Sequence, residues 1–332
     1  SDIVIEDDFS CSKFDIENPY VDMVTSKFKH LKDYDKKIIV DCGNGMSGPV
    51  IKKIFDNLNL NYSLMYEKPD GEFPNHPADP SVRENLNDLI RELNSCDVEL
   101  GFAHDGDSDR IYSCLKSGPI NPDILGILIA KTLDNPKVIG EVKCSKVMYD
   151  EINKMGSTIM SKTGHSNIKK LIRENSDINF AIELSGHVFF KDRYFGYDDA
   201  IYTTFRVLEL EKNGFDFEAE IKKLPKVFTT PDVKHKVDES LKFELVDRFI
   251  KSVKNLKSEL NYVDLIDIDG LRINFENGWG LVRASNTSPV LVTRFESSSQ
   301  VDLDIIKTKV MDILNSIISV SYTHLTLPTK RI

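Results

Sequence analysis

The most constraining stretch of this chain is "IIVDCGNGMSGPVIKKIFDNL" (38–58), where a short apolar run enters a glycine-rich turn and leaves it as a helix-like segment. A buried strand that runs straight into a helix needs covering helices and parallel neighbours, which is an α/β arrangement. The rhythm then repeats. "YSLMYE" (62–67) is a second apolar segment, and a Pro/Gly/Asn-rich loop follows it. The helix "VRENLNDLIRELN" spaces Leu86, Leu89, Ile90 and Leu93 helically, and "DVELGFAHDGDSDR" reads as a strand ending in an acidic loop. After "SGPINPD" (117–123) the cycle restarts with helix "ILGILIAKTL", strand "KVIGEV", the stretch "STIMSKTGHSNIKKLIREN" and strand "INFAIELSGHVFF". "KLPKVFTTPDVKHKVDES" reads as a linker. The segment from Leu265 to Ser297 alternates apolar and polar residues, with a hairpin signal at Asn277-Gly278. A helix with Leu303, Ile306, Val310, Ile313, Leu314 and Ile317 on one face follows. The fold class expected is α/β: two consecutive α/β mixed-sheet domains (18–116 and 117–224), then a smaller α+β C-terminal domain (235–319). No strong internal repeat is legible, although the first two domains share one rhythm.

At 332 residues the chain is long enough for two or three domains, each with its own core. The net charge of −10 argues against a nucleic-acid partner, which would need a basic face, and any anionic ligand would need cations gathered locally. No apolar run is long enough for a membrane span, and the acidic start "SDIVIEDDFS" has no signal-peptide pattern. Five unclustered cysteines make no disulfide framework and suit a reducing cytoplasm.

Four loops could carry chemistry. In "HDGDSDR" (104–110), Asp105, Asp107 and Asp109 alternate and Arg110 follows. As an EF-hand the loop fails, because its sixth position is Arg110 and its twelfth Lys116. A smaller hard cation such as Mg²⁺ fits, with Arg110 balancing the surplus charge; the alternative is a solvated acidic turn. "GNGMSG" (43–48) matches a dinucleotide-binding turn, with Glu67 about twenty residues on, but tight strand–helix packing explains the glycines equally well. "ELSGH" (183–187) offers Glu183, Ser185 and His187 for a polyol and for proton transfer at a hydroxyl; a plain polar turn is the alternative. "RASNTSP" (283–289) offers the guanidinium fork of Arg283 and the neutral donors Ser285, Asn286 and Thr287 for a phosphate, against a hairpin loop rich in turn formers.

Together the loops are far more specific. The sequence resembles the phosphomannomutase/phosphoglucomutase branch of the α-D-phosphohexomutases, whose magnesium, sugar and phosphate loops appear here in order as "DGDSDR", "IELSGH" and "GWGLVRASNTSPVLVTRFE". "VDCGNGMSG", "FPNHPADPSVRENL", "EVKCS", "KTGHSNIKK" and "RYFGYDDAIY" are also similar, so the likeness runs from about residue 16 to about 318. The family fold is four domains in a heart shape around one cleft. Against it, 18–116, 117–224 and 235–319 are family domains two, three and four, and 1–17 is a remnant connection from a missing first domain. That domain carries a T-x-S-H-N-P loop with the phosphoryl-donor serine, and no "SHNP" occurs in this sequence. The tail "SYTHLTLPTKRI" (321–332) is unlike the family and is read as an artefact.

The resemblance implies an intramolecular phosphotransferase interconverting hexose 1-phosphate and hexose 6-phosphate, of mannose, glucose or both. It works through an enzyme phosphoserine and a 1,6-bisphosphate, and this chain is expected to be inactive alone. The alternative is a non-catalytic fragment that binds phosphosugar and Mg²⁺. In this scheme Asp105, Asp107 and Asp109 hold Mg²⁺, and Arg110 sits beside the transferring group. Arg283, Ser285, Asn286 and Thr287 grip the idle phosphate, while Glu183 and Ser185 bind ring hydroxyls. His187 is the candidate general acid/base, and Lys143 and His165 add positive charge. "GNGMSG" becomes a structural turn, so the dinucleotide reading is dropped. Two departures stand out: Ile182 replaces the family glycine before Glu183, which is expected to alter the approach of that loop to the sugar, and Ser288 stands where relatives of other specificity have glutamate. The resemblance disfavours N-acetylglucosamine and leaves mannose against glucose open. The partners expected are hexose phosphates, with no nucleic acid and no membrane; oligomeric state is unreadable.

Overall fold

This computed structural model describes residues 13–326, and the statements below concern those residues. The ends of the two terminal segments singled out above, 1–12 and 327–332, lie outside it.

Helix α1 (Glu17–Lys27) leads into β1 (Ile38–Asp41), α2 (Ser47–Asn57), β2 (Tyr62–Met65), α3 (Asn87–Ser95), β3 (Leu100–His104), β4 (Ile111–Leu115) and the short β5 (Gly118–Pro119). The strands form a sheet in the order β2-β1-β3-β4-β5. β1 runs parallel to β2 and β3, and β4 returns antiparallel to β3. Leu86, Leu89 and Leu93 are buried against Ile39, Val98 and Cys114, so the helical spacing read from the sequence is the face that meets the sheet.

The second segment runs α4 (Pro122–Ala130), β6 (Lys137–Glu141), α5 (Lys146–Asn153), β7 (Ser157–Ser161), α6 (His165–Glu174), β8 (Phe180–Ile182) and β9 (Val188–Phe190). Pro122 opens α4 at a position where a missing N–H costs nothing, and the Ser145 hydroxyl caps α5 by accepting from Val147 N. The sheet order is β7-β6-β8-β9, with β6 parallel to β7 and β8, and β9 antiparallel to β8. This repeats the order β2-β1-β3-β4 of the first sheet. The acidic loop joins β3 to β4, and "ELSGH" joins β8 to β9, so the two loops occupy the same topological position. The repeat is invisible as residue identity because backbone hydrogen bonding and burial specify it, and many sequences satisfy those.

Helix α7 (Ala200–Lys212), capped by Asp199, precedes α8 (Phe217–Lys222), β10 (Phe228–Thr229), β11 (Val233–Lys236), α9 (Lys242–Asn255) and α10 (Lys257–Leu260). Then come β12 (Asp264–Ile266), β13 (Leu271–Phe275), β14 (Gly278–Ala284), β15 (Val290–Ser297) and α11 (Gln300–Thr326). These strands build an antiparallel sheet, β10-β15-β14-β13-β12, with β11 also on β15. The segment expected to be a linker therefore supplies two strands. Both are short and lie on β15, and such strands need no buried face of their own, which leaves little hydrophobic pattern to read. The hairpin turn sits at Glu276-Asn277 rather than Asn277-Gly278, because Phe275 pairs with Gly278. A Cβ on Gly278 would lie 2.2 Å from Glu296 O, so the glycine serves close strand approach. One face of the sheet buries Leu271, Ile273, Val282, Leu291 and Phe295 under α9 and α11, which contribute Phe249, Val253, Leu303, Val310 and Leu314. Trp279 and Leu281 on the other face meet Val142 and Met160. α11 continues six residues into the tail segment.

The chain divides into two compact units. One comprises the residues up to Ile120 with Asp199–Phe215; the other comprises Asn121–Asp198 and the residues from Asp216 on. α7 thus belongs with the first sheet, where Phe205 stacks on Phe28 and meets Phe55 edge-on. Among the described residues no helix is long and apolar enough to cross a membrane.

Candidate active site

In the first unit the β3–β4 loop folds around Asp105, which is fully buried. Its Oδ1 accepts from the backbone N–H groups of Asp109 (3.1 Å) and Arg110 (3.0 Å), and Arg110 Nε donates to its Oδ2 at 2.7 Å. Arg110 Nη1 donates to Asp79 at 3.2 Å. Burial pushes the Asp105 carboxyl up to about 6, against the pull of Arg110. One ligand oxygen from each of Asp105, Asp107 and Asp109 lies within 4.8 Å of the others. The donor set is all-oxygen and carries three negative charges to one arginine, which fits a hard divalent cation. His104 takes no part: burial lowers it to about 3, and its ring meets Thr204 Oγ1 at 2.9 Å.

The decoy turn "GNGMSG" supports this loop. A Cβ on Gly45 would lie 2.7 Å from Gly106 O and 2.8 Å from Asp105 O, and Met46 N donates to Gly106 O at 2.9 Å. A Cβ on Gly48 would lie 1.9 Å from Glu67 O. The room that a dinucleotide motif reserves for pyrophosphate is filled here by the acidic loop's own backbone.

In the second unit the β8–β9 turn holds Glu183, which is 2% exposed. Its Oε1 accepts from Gly164 N at 2.6 Å, and its Oε2 lies 2.9 Å from His187 Nδ1. Ser185 Oγ is 2.8 Å from the same Nδ1. Burial works against the Glu183 carboxylate, but the His187 bond holds its pKa below the usual value. Glu183 is therefore engaged in orienting His187 and tethering the turn before α6. His165, the first residue of α6, places its ring 5.9 Å from that of His187 and its Nδ1 3.3 Å from Asp198. Ile182 turns away from this site: its methyl groups come 3.3 and 3.5 Å from where a Cβ on Gly126 would stand. The side chain that stands in place of the family glycine thus packs against α4.

Lys143 follows β6, largely buried between two carboxylates, Glu141 Oε1 at 3.5 Å and Asp232 Oδ2 at 3.2 Å. Desolvation opposes its charge, but the two acids raise its pKa, so it stays an ammonium. Asp232 also accepts from Arg294 at 3.3 Å. Glu141 Oε1 accepts from Leu184 N at 2.8 Å, which joins Lys143 to the Glu183 turn. Arg283, at the end of β14, is buried; its Nε donates to Asp269 Oδ2 at 2.9 Å, and its Nη2 makes no protein hydrogen bond. The same Asp269 oxygen accepts from Thr163 N at 3.0 Å. Asn286 and Thr287 are exposed at the tip of the loop, and Ser285 Oγ accepts from Thr287 N at 3.3 Å.

Within this unit one continuous path runs Arg283–Asp269–Thr163–Gly164–Glu183–His187, with Lys143 joined through Glu141. Sequence reasoning missed Glu141, Asp232 and Asp269. Glu141 stands in the quoted "EVKCS", but Asp232 lies in the apparent linker and Asp269 in a turn, where aspartate is expected anyway.

Comparison with known proteins identifies the family. Residues 18–118, 121–228 and 217–313 match the family models for phosphoglucomutase/phosphomannomutase alpha/beta/alpha domain II, alpha/beta/alpha domain III and C-terminal domain. The chain belongs to the phosphoglucomutase/phosphomannomutase family. It is 39% identical over 300 residues to a phosphomannomutase/phosphoglucomutase of Pseudomonas aeruginosa, covering 87% of this chain and 64% of that protein. With a phosphoglucomutase of Neisseria gonorrhoeae it shares 35% identity, covering 92% of this chain and 67% of that one. The chain thus spans about two thirds of the length of these relatives. A crystal structure of a phosphoglucomutase/phosphomannomutase family protein from Burkholderia thailandensis superposes with a TM-score of 0.82 at 35% identity, over 92% of this chain and 65% of that one. An N-acetylphosphoglucosamine mutase of Aspergillus fumigatus, solved with GlcNAc-6P and magnesium, shares the fold at a TM-score of 0.65 and 15% identity, over 90% of this chain and 70% of its own.

Proposed function

We propose that this chain supplies the metal, sugar and phosphate loops of a phosphohexomutase that interconverts the 1- and 6-phosphates of mannose, glucose or both. The observation that carries the reading is the path from Arg283 to His187, which ties a phosphate-binding arginine to a sugar-facing imidazole through four short contacts and one peptide bond. Arg283 offers its unpaired Nη2, with Ser285, Asn286 and Thr287, to a phosphate ester. Lys143 and His165 add positive charge. Glu183 holds His187 through Nδ1 and so orients the ring to take and return a hydroxyl proton at its other nitrogen. Ser185, hydrogen-bonded to the same ring, contacts the sugar.

Asp105, Asp107 and Asp109 would hold Mg²⁺, whose charge withdraws electron density from the transferring phosphoryl group. Arg110, fixed by Asp105 and Asp79, sits beside that group. In the family the donor is a phosphoserine on the first domain.

The test is a coupled assay on the chain joined to a first domain carrying the T-x-S-H-N-P loop, with mannose 1-phosphate and glucose 1-phosphate as substrates. Mg²⁺-dependent formation of either 6-phosphate, lost in Asp107→Ala, is expected. Tight hexose-phosphate binding with no turnover in the joined protein would leave only the binding role.

A further inference from the structure

We infer that Arg272 is a positioning residue for Lys143, acting through the main chain on both sides of it. The inference rests on the assignment of Lys143 to the substrate site. Arg272 lies on β13 and is 1% exposed. Its Nη1 donates to Val142 O at 2.6 Å and to Cys144 O at 2.8 Å, the carbonyls that bracket Lys143. The guanidinium carbon stands 3.9 Å from the centre of the Trp279 ring on β14, over its face, a cation–π contact that holds the cation in place. Trp279 Nε1 in turn donates to Glu296 Oε1 on β15 at 2.9 Å, and the same oxygen accepts from Lys146 N at 2.9 Å. Three neighbouring strands therefore grip residues 142–146 at two carbonyls and one amide.

The chemistry of Arg272 is otherwise hard to account for. Among the described residues no carboxylate hydrogen-bonds to it, and burial lowers its pKa. A buried cation without a bonded counter-charge costs stability, and an apolar residue of similar size would cost less. Two carbonyls on one guanidinium nitrogen are a geometric constraint, and a flexible ammonium at this depth would not reproduce it. The constraint matters because the Lys143 ammonium must sit between Glu141 and Asp232, and the backbone on either side decides where it points. β14, which carries Trp279, ends in Arg283. The sheet that holds the phosphate arginine is thus also the sheet that aims the lysine.

The test uses the 332-residue chain and compares wild type with Arg272→Lys, which keeps the charge, and Arg272→Met, which keeps the approximate volume. Lysine acetylation by an N-hydroxysuccinimide ester is followed residue by residue by mass spectrometry. Lys242, with a side chain only 3% exposed in the same unit, reports any general loosening. Lys143 is expected to react about tenfold faster in both variants while Lys242 is unchanged. In parallel, glucose 6-phosphate affinity should fall about tenfold in Arg272→Lys, with no further fall when that change is added to Lys143→Met. Unchanged Lys143 reactivity, a joint rise of Lys143 and Lys242, or additive losses in the double variant would each overturn the inference. If wild type binds no glucose 6-phosphate, the functional reading fails, and the acetylation result still decides the role of Arg272.

Discussion

Arg283 is a buried guanidinium whose Nη2 makes no hydrogen bond to the protein. Its Nε is committed to Asp269, so Nη2 is left for a ligand. Arg283→Ala should weaken binding of the 1-phosphate and the 6-phosphate alike, by about 10- to 100-fold, because charge-assisted hydrogen bonds of about 1.5–3 kcal/mol are lost. Calorimetry with both isomers checks this, and a loss confined to one isomer would contradict a shared phosphate grip. His76 is a second residue whose surroundings set its behaviour. Its Nε2 lies 3.0 Å from Asp41, and that bond, opposed by burial, raises its pKa from 6.5 to about 8. The folded value lies above the unfolded one, so the stabilisation is complete below about pH 6.5 and is lost as pH rises through about 8. Between those values wild type should lose on the order of 1 kcal/mol relative to His76→Gln, read from denaturant unfolding at each pH. Parallel curves for the two proteins would dismiss the pair.

Among the elements, turns position the chemistry and strands hold the turns. Gly45 sits against the backbone of the acidic loop, so Gly45→Ala must displace either the turn or Gly106. We expect Mg²⁺ affinity to fall at least about tenfold by titration, with phosphate-ester binding through Arg283 little changed. Equal Mg²⁺ affinity would show that the loop yields without consequence. The alternation of strand and helix and the core faces of α3 and α11 were legible from periodicity, which is a local property, whereas the chemical loops stood out from ordinary polar turns only when taken together. The shifted hairpin and the two strands of the apparent linker were not. What fixes them is contact with β15, and a strand that borrows its stability from a neighbour carries little pattern of its own.

For the molecule as a whole, grouping in space departs from order along the chain. α7 follows the second sheet in sequence but fills the core of the first unit, where burial of Phe205 alone contributes about 1.5–3 kcal/mol. Asp199, its cap, also accepts from Tyr20, and Thr204 meets His104 behind the acidic loop. A fragment ending at Ile120 should therefore lack a cooperative thermal transition, and addition of residues 199–215 through a flexible linker should restore one. A fragment that melts cooperatively without α7 would reduce that helix to a surface cover.

By itself the amino-acid sequence determined which loops carry carboxylates, imidazole and guanidinium, and that strands and helices alternate to hold them, because these follow from residue chemistry and short-range periodicity. Only the tertiary structure decided that Asp269 joins Arg283 to the turn before α6, that Glu141 and Asp232 enclose Lys143, and that the glycines of a nucleotide-like motif cradle the acidic loop. Charges interact according to distance in space, and partners up to about a hundred residues apart leave no local mark on one another.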